Sequence, residues 1–158
     1  MKRVICALAL SAAAWGAQAQ GRTVAKPGAT SVPVAYASRY APADPAQLRD
    51  AAMRVAAAMD EGKIAEMWAN ASKSMQAKFK KKDFVKQVGE MRKKLGPAAG
   101  RSWIVIHREI STGGNLPAGQ YASVEFELAL SGSAAVKEVV SFTLDADGMW
   151  RLVGYTIR

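Results

Sequence analysis

Glu138 is the residue whose type and position most directly suggest chemistry. It lies on a predicted strand face on which every other member is apolar. Those members are Val136, Val140, Phe142 and Leu144. A carboxylate on the wall of a pocket could act as a general base. The alternative is structural, because a buried carboxylate is tolerated only when it is paired and hydrogen-bonded, and Arg92 and Arg101 are its candidate partners.

Two further residues could assist Glu138 in catalysis. His107 is the only imidazole in the chain, and Tyr121 offers a phenolic hydroxyl. The strand around His107 is apolar on both sides, so alternation does not assign its face, and a histidine in the core or at its rim is the favoured interpretation. Together the three residues predict, as one alternative, a small pocket enzyme of isomerase or dehydratase type.

Several other reaction classes are disfavoured by what the sequence lacks. A zinc or haem site needs clustered ligands, and one histidine does not provide them. The only cysteine, Cys6, lies in an amino-terminal apolar stretch, and no Gly-x-Ser-x-Gly elbow presents a serine nucleophile. Neither a metal nor a cofactor is expected.

A local excess of lysine is the main candidate for recognition. Residues 73–101 contain ten Lys or Arg against two acidic residues, whereas the whole chain has a formal charge of +9. The patch residues are Lys78, Lys81, Lys82, Lys86 and Lys93. They could attract an anionic envelope surface or an acidic partner protein, or they could form a solvated helix face. Nucleic acid is not an expected partner, because no aromatic residues interleave with the lysines.

The amino end has the pattern of a secretory signal peptide. Lys2 and Arg3 precede an apolar stretch over residues 4–15, and Ala17 and Ala19 offer small residues for cleavage after Ala19. This stretch is shorter than the roughly 20 residues that span a bilayer, so the mature chain is expected to have no transmembrane segment. We therefore expect a periplasmic or secreted protein with residues 1–19 removed.

The remainder divides into a leader and one domain. Residues 20–43, rich in Ala, Pro, Ser and Gly, predict a flexible leader, and residues 44–158 predict a single α+β domain. Asp44 and Pro45 form a helix start. Apolar periodicity predicts three helices, the clearest running from Asp83 to Leu95 and ending at Gly96.

After Arg101 the periodicity changes to that of four strands, with a hairpin at residues 145–148. The expected fold is three helices packed on a curved four-stranded antiparallel sheet. Trp150 and Tyr155 on the last strand are expected to pack in the core, with Gly154 at a bend or bulge.

Several motifs together resemble an exported bacterial domain-of-unknown-function family, number 4019. The resemblance covers roughly residues 46–158, and its most specific part is the closing segment. The matching positions are Asp60-Glu61-Gly62, Trp68, Arg92, Leu95-Gly96, Arg101, residues 117–121, Glu138 and residues 147–155. Phe84 departs from the tryptophan that this family leads us to expect. The resemblance implies a cone-shaped fold similar to the nuclear transport factor 2-like superfamily, which contains enzymes, ligand binders and interaction modules.

From these observations we expect an exported, noncatalytic binding or protein-interaction module. Its partner would be a small ligand or a protein, and a homodimer remains open. The alternatives are the pocket enzyme that uses Glu138 and a peripheral binder of anionic envelope surfaces that uses the lysines.

Overall fold

The computed structural model describes residues 41–158, in which four helices precede four strands. The helices are α1 (Pro45–Asp60), α2 (Ile64–Ala69), α3 (Lys73–Lys78) and α4 (Lys81–Leu95). The strands are β1 (Ala98–Ser111), β2 (Gly119–Leu130), β3 (Ser133–Leu144) and β4 (Trp150–Ile157). The predicted α+β class is confirmed.

The ends of the long helices follow from local sequence. Asp44 is the N-cap of α1, and its Oδ1 accepts the Ala46 N–H at 2.9 Å, while Pro45 occupies the first helical position. At the other end of the helical region, Gly96 stops α4 with φ of 77°, a backbone conformation that favours glycine.

The sequence predicted three helices, whereas the described residues form four. Residues 73–78 form a separate helix, α3, which begins at Ser72, where the Ser72 Oγ accepts the Met75 N–H at 3.2 Å. Only Met75 and Ala77 are apolar among its six residues, so no repeating apolar face marks this helix in the sequence. The next helix, α4, also begins two residues before the predicted start at Asp83.

The sheet is fully antiparallel in the order β1-β2-β3-β4, so β1 and β4 are its edges. Glu138 of β3 pairs with Phe126 of β2, and the two residues therefore share a face. Both edge strands contain register shifts. Strand β1 has two, between Ala98 and Gly100 and between Trp103 and Val105, and one in β4 leaves Val153 without a cross-strand partner, next to Gly154.

The helices cover one face of this sheet, which we call the core face. Helix α1 packs on β1, β2 and β3. Large buried residues from both layers meet there: Met59, Met75, Phe84, Val124, Phe126, Val140 and Phe142. Among residues 41–158, none of the helices has both the length and the apolar character needed to cross a membrane.

The predicted signal peptide and residues 20–40 of the predicted leader lie outside the described residues. The last leader residues, 41–43, are described. Ala41 donates its N–H to the Gln120 side chain at 2.7 Å, and its carbonyl accepts from the Arg108 guanidinium at 2.7 Å. The chain is therefore attached to the sheet three residues before the predicted domain boundary.

The predicted hairpin at residues 145–148 joins β3 to β4. The Gly148 N–H donates to the Asp145 carbonyl at 2.9 Å, and Gly148 has φ of 78°. Arg151 then reaches back to Asp147, with 2.6 Å between Nη2 and Oδ2. This guanidinium, and next the Met149 N–H, lowers the pKa of Asp147 to about 2.

We predict a carboxyl titration of Asp147 with a midpoint near pH 2 in the folded protein, measured by carbon-13 NMR. A lowered folded-state pKa means that the stabilisation is complete above the ordinary pKa of 3.8 and is lost as the pH falls through about 2. Arg151→Gln should move the midpoint towards 3.8. A wild-type midpoint already near 3.8 would contradict the interaction.

Candidate functional site

Glu138 lies at the centre of a buried group of charged side chains. Its side chain is 0% exposed. Arg101 of β1 donates from Nε to Oε2 and from Nη2 to Oε1, the second bond being 3.2 Å long. Arg92 of α4 places Nη1 at 3.5 Å from Oε1. The structure thus brings together all three residues proposed from sequence as a structural ion pair.

Two residues that the sequence analysis did not place here complete the group. Tyr155 donates its hydroxyl to Glu138 Oε1 at 2.5 Å. Asp60, the last residue of α1, forms ion pairs with Arg92 and with Arg101, the latter at 3.0 Å. We call Asp60, Arg92, Arg101, Glu138 and Tyr155 the charge cluster.

A sequence signal for Asp60 existed. A carboxylate at the C-terminus of a helix meets the negative end of the helix dipole, which is unfavourable unless a cation compensates it. No comparable feature of the sequence placed Tyr155 beside Glu138. Its face depends on the unpaired Val153, because strict alternation from Leu152 would have placed Tyr155 on the opposite face of β4.

The members of the charge cluster balance one another in charge and in hydrogen bonds. Its two carboxylates face two guanidinium groups, so the formal charges cancel. Both oxygens of Glu138 already accept hydrogen bonds, and a general base must approach the substrate proton within hydrogen-bond reach. Burial, followed by the charge of Glu138, raises the pKa of Tyr155 above the ordinary tyrosine range, so this hydroxyl stays protonated and remains a donor.

His107 lies on the other side of the sheet. It pairs with Ser123 of β2, its side chain is 63% exposed, and its Nε2 lies 3.7 Å from Glu125 Oε1. The register shift in β1 decides this placement, because alternation from Arg101 without it would put His107 on the core face. His107 is therefore a surface residue, contrary to the preference for a core or rim position, and it lies on the opposite face of the sheet from Glu138.

Tyr121 is likewise separated from Glu138. It is five residues from Phe126 along β2, which places it on the face opposite the core face. It is buried, and its hydroxyl donates to the Pro117 carbonyl at 2.9 Å. This bond holds the loop between β1 and β2. The three candidate catalytic residues therefore do not form one site.

A groove of about 970 Å³ lies along the β4 edge of the sheet. Its lining comes from α3, the middle of α4, strand β4, the loop between β1 and β2, and four residues on the sheet face opposite the core face: Glu109, Tyr121, Ser123 and Ser141. The lining is mainly apolar and aromatic: Met75, Phe79, Phe84, Val88, Met91, Leu116, Tyr121, Val153 and Tyr155. We call this the β4-edge groove.

Hydrogen bonds fix the α3 wall of the groove. The Ser72 N–H donates to the Leu152 carbonyl of β4 at 2.9 Å, which attaches the start of α3 to the sheet edge. At the other end of α3, Trp68 Nε1 donates to the Phe79 carbonyl at 3.0 Å. Phe79 is thereby held at the groove although its side chain is partly exposed.

The five patch lysines are all exposed, but they lie on different sides of the helices. Lys78 lines the groove, as do Phe84 and Val88 of α4. At about 100° per residue, the α4 lysines Lys82, Lys86 and Lys93 lie between about 160° and 200° from Phe84, on the opposite side of the helix. Lys81 lies about 60° from Phe84. The lysines therefore do not form one continuous face.

Within the described residues 41–158, no three His, Cys, Asp or Glu side chains come together as a metal site requires. Asp60 and Glu138 are bridged by arginines, which occupy the positions that a cation would take.

These features define an α+β protein in which helices cover one face of an antiparallel sheet, with a balanced charge cluster inside and a groove at one edge. Residues 51–155 match the family described as "Protein of unknown function (DUF4019)", and the chain belongs to this family. The resemblance drawn from the motifs is thereby confirmed at the level of that family. Neither a curated protein nor a solved structure matches the chain.

We predict that Glu138→Gln lowers the free energy of unfolding by about 3–5 kcal/mol, because Asp60 then remains as the only carboxylate beside two nearly buried guanidinium groups, and one positive charge is left uncompensated. The matched control is Glu127→Gln, an exposed glutamate of the same sheet, which should change it by less than about 0.5 kcal/mol. Urea denaturation measures both. Equal stability of Glu138→Gln and wild type would refute the structural role.

Proposed function

We propose that this protein is an exported, noncatalytic binding module and that the β4-edge groove is its ligand site. The groove itself carries the proposal. Ligand sites are concave and mostly apolar, contain a few polar groups and have volumes of roughly 300–1,000 Å³, and this groove has all of these properties.

The noncatalytic part of the proposal is supported by the placement of the candidate catalytic residues. Glu138 is 0% exposed and saturated by arginine and tyrosine donors. His107 and Tyr121 lie on the opposite face of the sheet. An isomerase or dehydratase mechanism that uses these three residues together therefore has no common reaction centre.

Export is supported by the sequence pattern of residues 1–19, in which basic residues, an apolar stretch and small residues follow one another. Similarity to the cone-shaped nuclear transport factor 2-like superfamily is supported by the order of helices and antiparallel strands. In that architecture helices and sheet enclose a pocket. Here the space between them is filled by core side chains and the charge cluster, and the groove lies at the edge.

Binding to an anionic envelope surface is a second candidate. Its support is that Lys82, Lys86 and Lys93 are exposed on one side of α4, away from the groove. Such a surface would be bound by long-range attraction that weakens with salt.

We predict that native mass spectrometry of residues 20–158, isolated from the periplasm of the source cell, shows a reproducible extra mass. Ala77→Trp should remove it, because Ala77 is an exposed residue that lines the groove and an indole there fills the space. The matched control, Ala57→Trp, changes an exposed alanine of α1 outside the groove and should keep the extra mass.

Two results would contradict this proposal. One is an extra mass that Ala77→Trp retains. The other is a ligand-free wild-type mass combined with unchanged amide shifts of the groove residues when the small molecules of the source periplasm are added.

A further inference from the structure

We propose that the β4-edge groove takes an anionic amphiphile with a single long acyl chain, whose charged head lies at Lys78. This inference rests on the proposed function, because it names the ligand class of the same groove. It is carried by three features of the groove: exposed apolar side chains, the chemistry of its walls and its asymmetric charge.

Apolar side chains of the groove are exposed to solvent. Phe79 at the end of α3 and Leu116 in the loop between β1 and β2 both line the groove, and each is 37% exposed. Exposed apolar surface costs free energy in water, and a ligand that covers it removes that cost. A ligand with an apolar body would cover both.

The walls suit a flexible chain rather than a rigid ring. Met75 and Met91 both line the groove, and unbranched thioether side chains adapt to irregular apolar shapes. The polar groups in the lining include Ser123 and Ser141, whose hydroxyls bond to each other at 2.8 Å. This mutual bond reduces their demand for hydrogen bonds from the ligand.

The charged residues that line the groove differ in sign between its walls. Lys78 belongs to the α3 wall, where its Nζ lies 5.9 Å from the centre of the Phe79 ring. Glu109 belongs to the β1 side. An anionic head is attracted to the first and repelled by the second, so the charges orient the ligand with its head at α3.

An extended peptide added to the β4 edge fits less well. Strand addition requires the free backbone groups of an edge strand. In β4 the Leu152 carbonyl is already occupied by the Ser72 N–H. The groove walls, rather than the strand edge, therefore provide the contacts.

The test uses the mature chain, residues 20–158, with palmitate and methyl palmitate as matched probes. Affinities are measured below the aggregation threshold of each probe by displacement of a fluorescent fatty acid. Wild type should bind palmitate more tightly than the uncharged ester. Lys78→Gln should weaken palmitate binding about three- to fivefold, the effect of one exposed charge contact, and leave the ester unchanged.

Lys86→Gln is the matched control, because it removes the same charge from the same region on the side of α4 that faces away from the groove. It should leave both affinities unchanged. Ala77→Trp should weaken the binding of both probes at least about tenfold. Thermal melting of each variant checks that the fold is retained, and all three substituted residues are exposed.

The outcomes separate this inference from the proposed function. Equal binding of acid and ester, or of Lys78→Gln and wild type, overturns the anionic head while the groove remains a binding site. Binding of neither probe, with an extra mass of another class in the native spectrum, overturns the ligand class alone. Binding of neither probe with a ligand-free mass overturns both proposals. Equal losses in Lys78→Gln and Lys86→Gln, together with binding to vesicles of anionic lipid, would favour the envelope surface instead.

Discussion

The buried charge of Glu138 is the constraint on which the rest of the structure depends. An ionised carboxylate that is 0% exposed is tolerated only if cations and hydrogen-bond donors surround it. Those groups come from α4, β1 and β4, and Asp60 at the end of α1 balances the second guanidinium charge. One carboxylate thus sets the relative positions of helices and strands far apart in sequence. Every member of the charge cluster is paired with another member, so the loss of any one charged partner would leave a buried charge without compensation.

Two local irregularities in the edge strands decide which side chains reach this cluster. The shift between Trp103 and Val105 turns His107 outward, although Arg101 of the same strand points to the core face. The unpaired Val153 has the opposite effect in β4, because it brings Tyr155 to the core face, where its hydroxyl meets Glu138. A single extra residue reverses the face of every side chain that follows it.

The β4-edge groove depends on the same organisation. Arg92 and Tyr155 join α4 to β4 within the charge cluster, and the Ser72 N–H fixes α3 to the same strand. Helix α3 therefore ends with Lys78 and Phe79 at the groove, while its Met75 packs in the core. These contacts connect the charge cluster to the residues that line the groove. The lysines on the far side of α4 are exposed to solvent.

The sequence by itself determined the α+β class, the cap at Asp44, the stop at Gly96, the hairpin at residues 145–148 and the pairing partners of Glu138. These follow from local conformational preference, from apolar periodicity and from the cost of a buried charge. Only the tertiary structure decided the faces of His107 and Tyr155, the short helix α3 and the β4-edge groove. The reason is physical. Strand bulges, and a six-residue helix such as α3 with only two apolar residues, carry almost no periodic signal, and a groove between elements distant in the chain exists only after they have packed together.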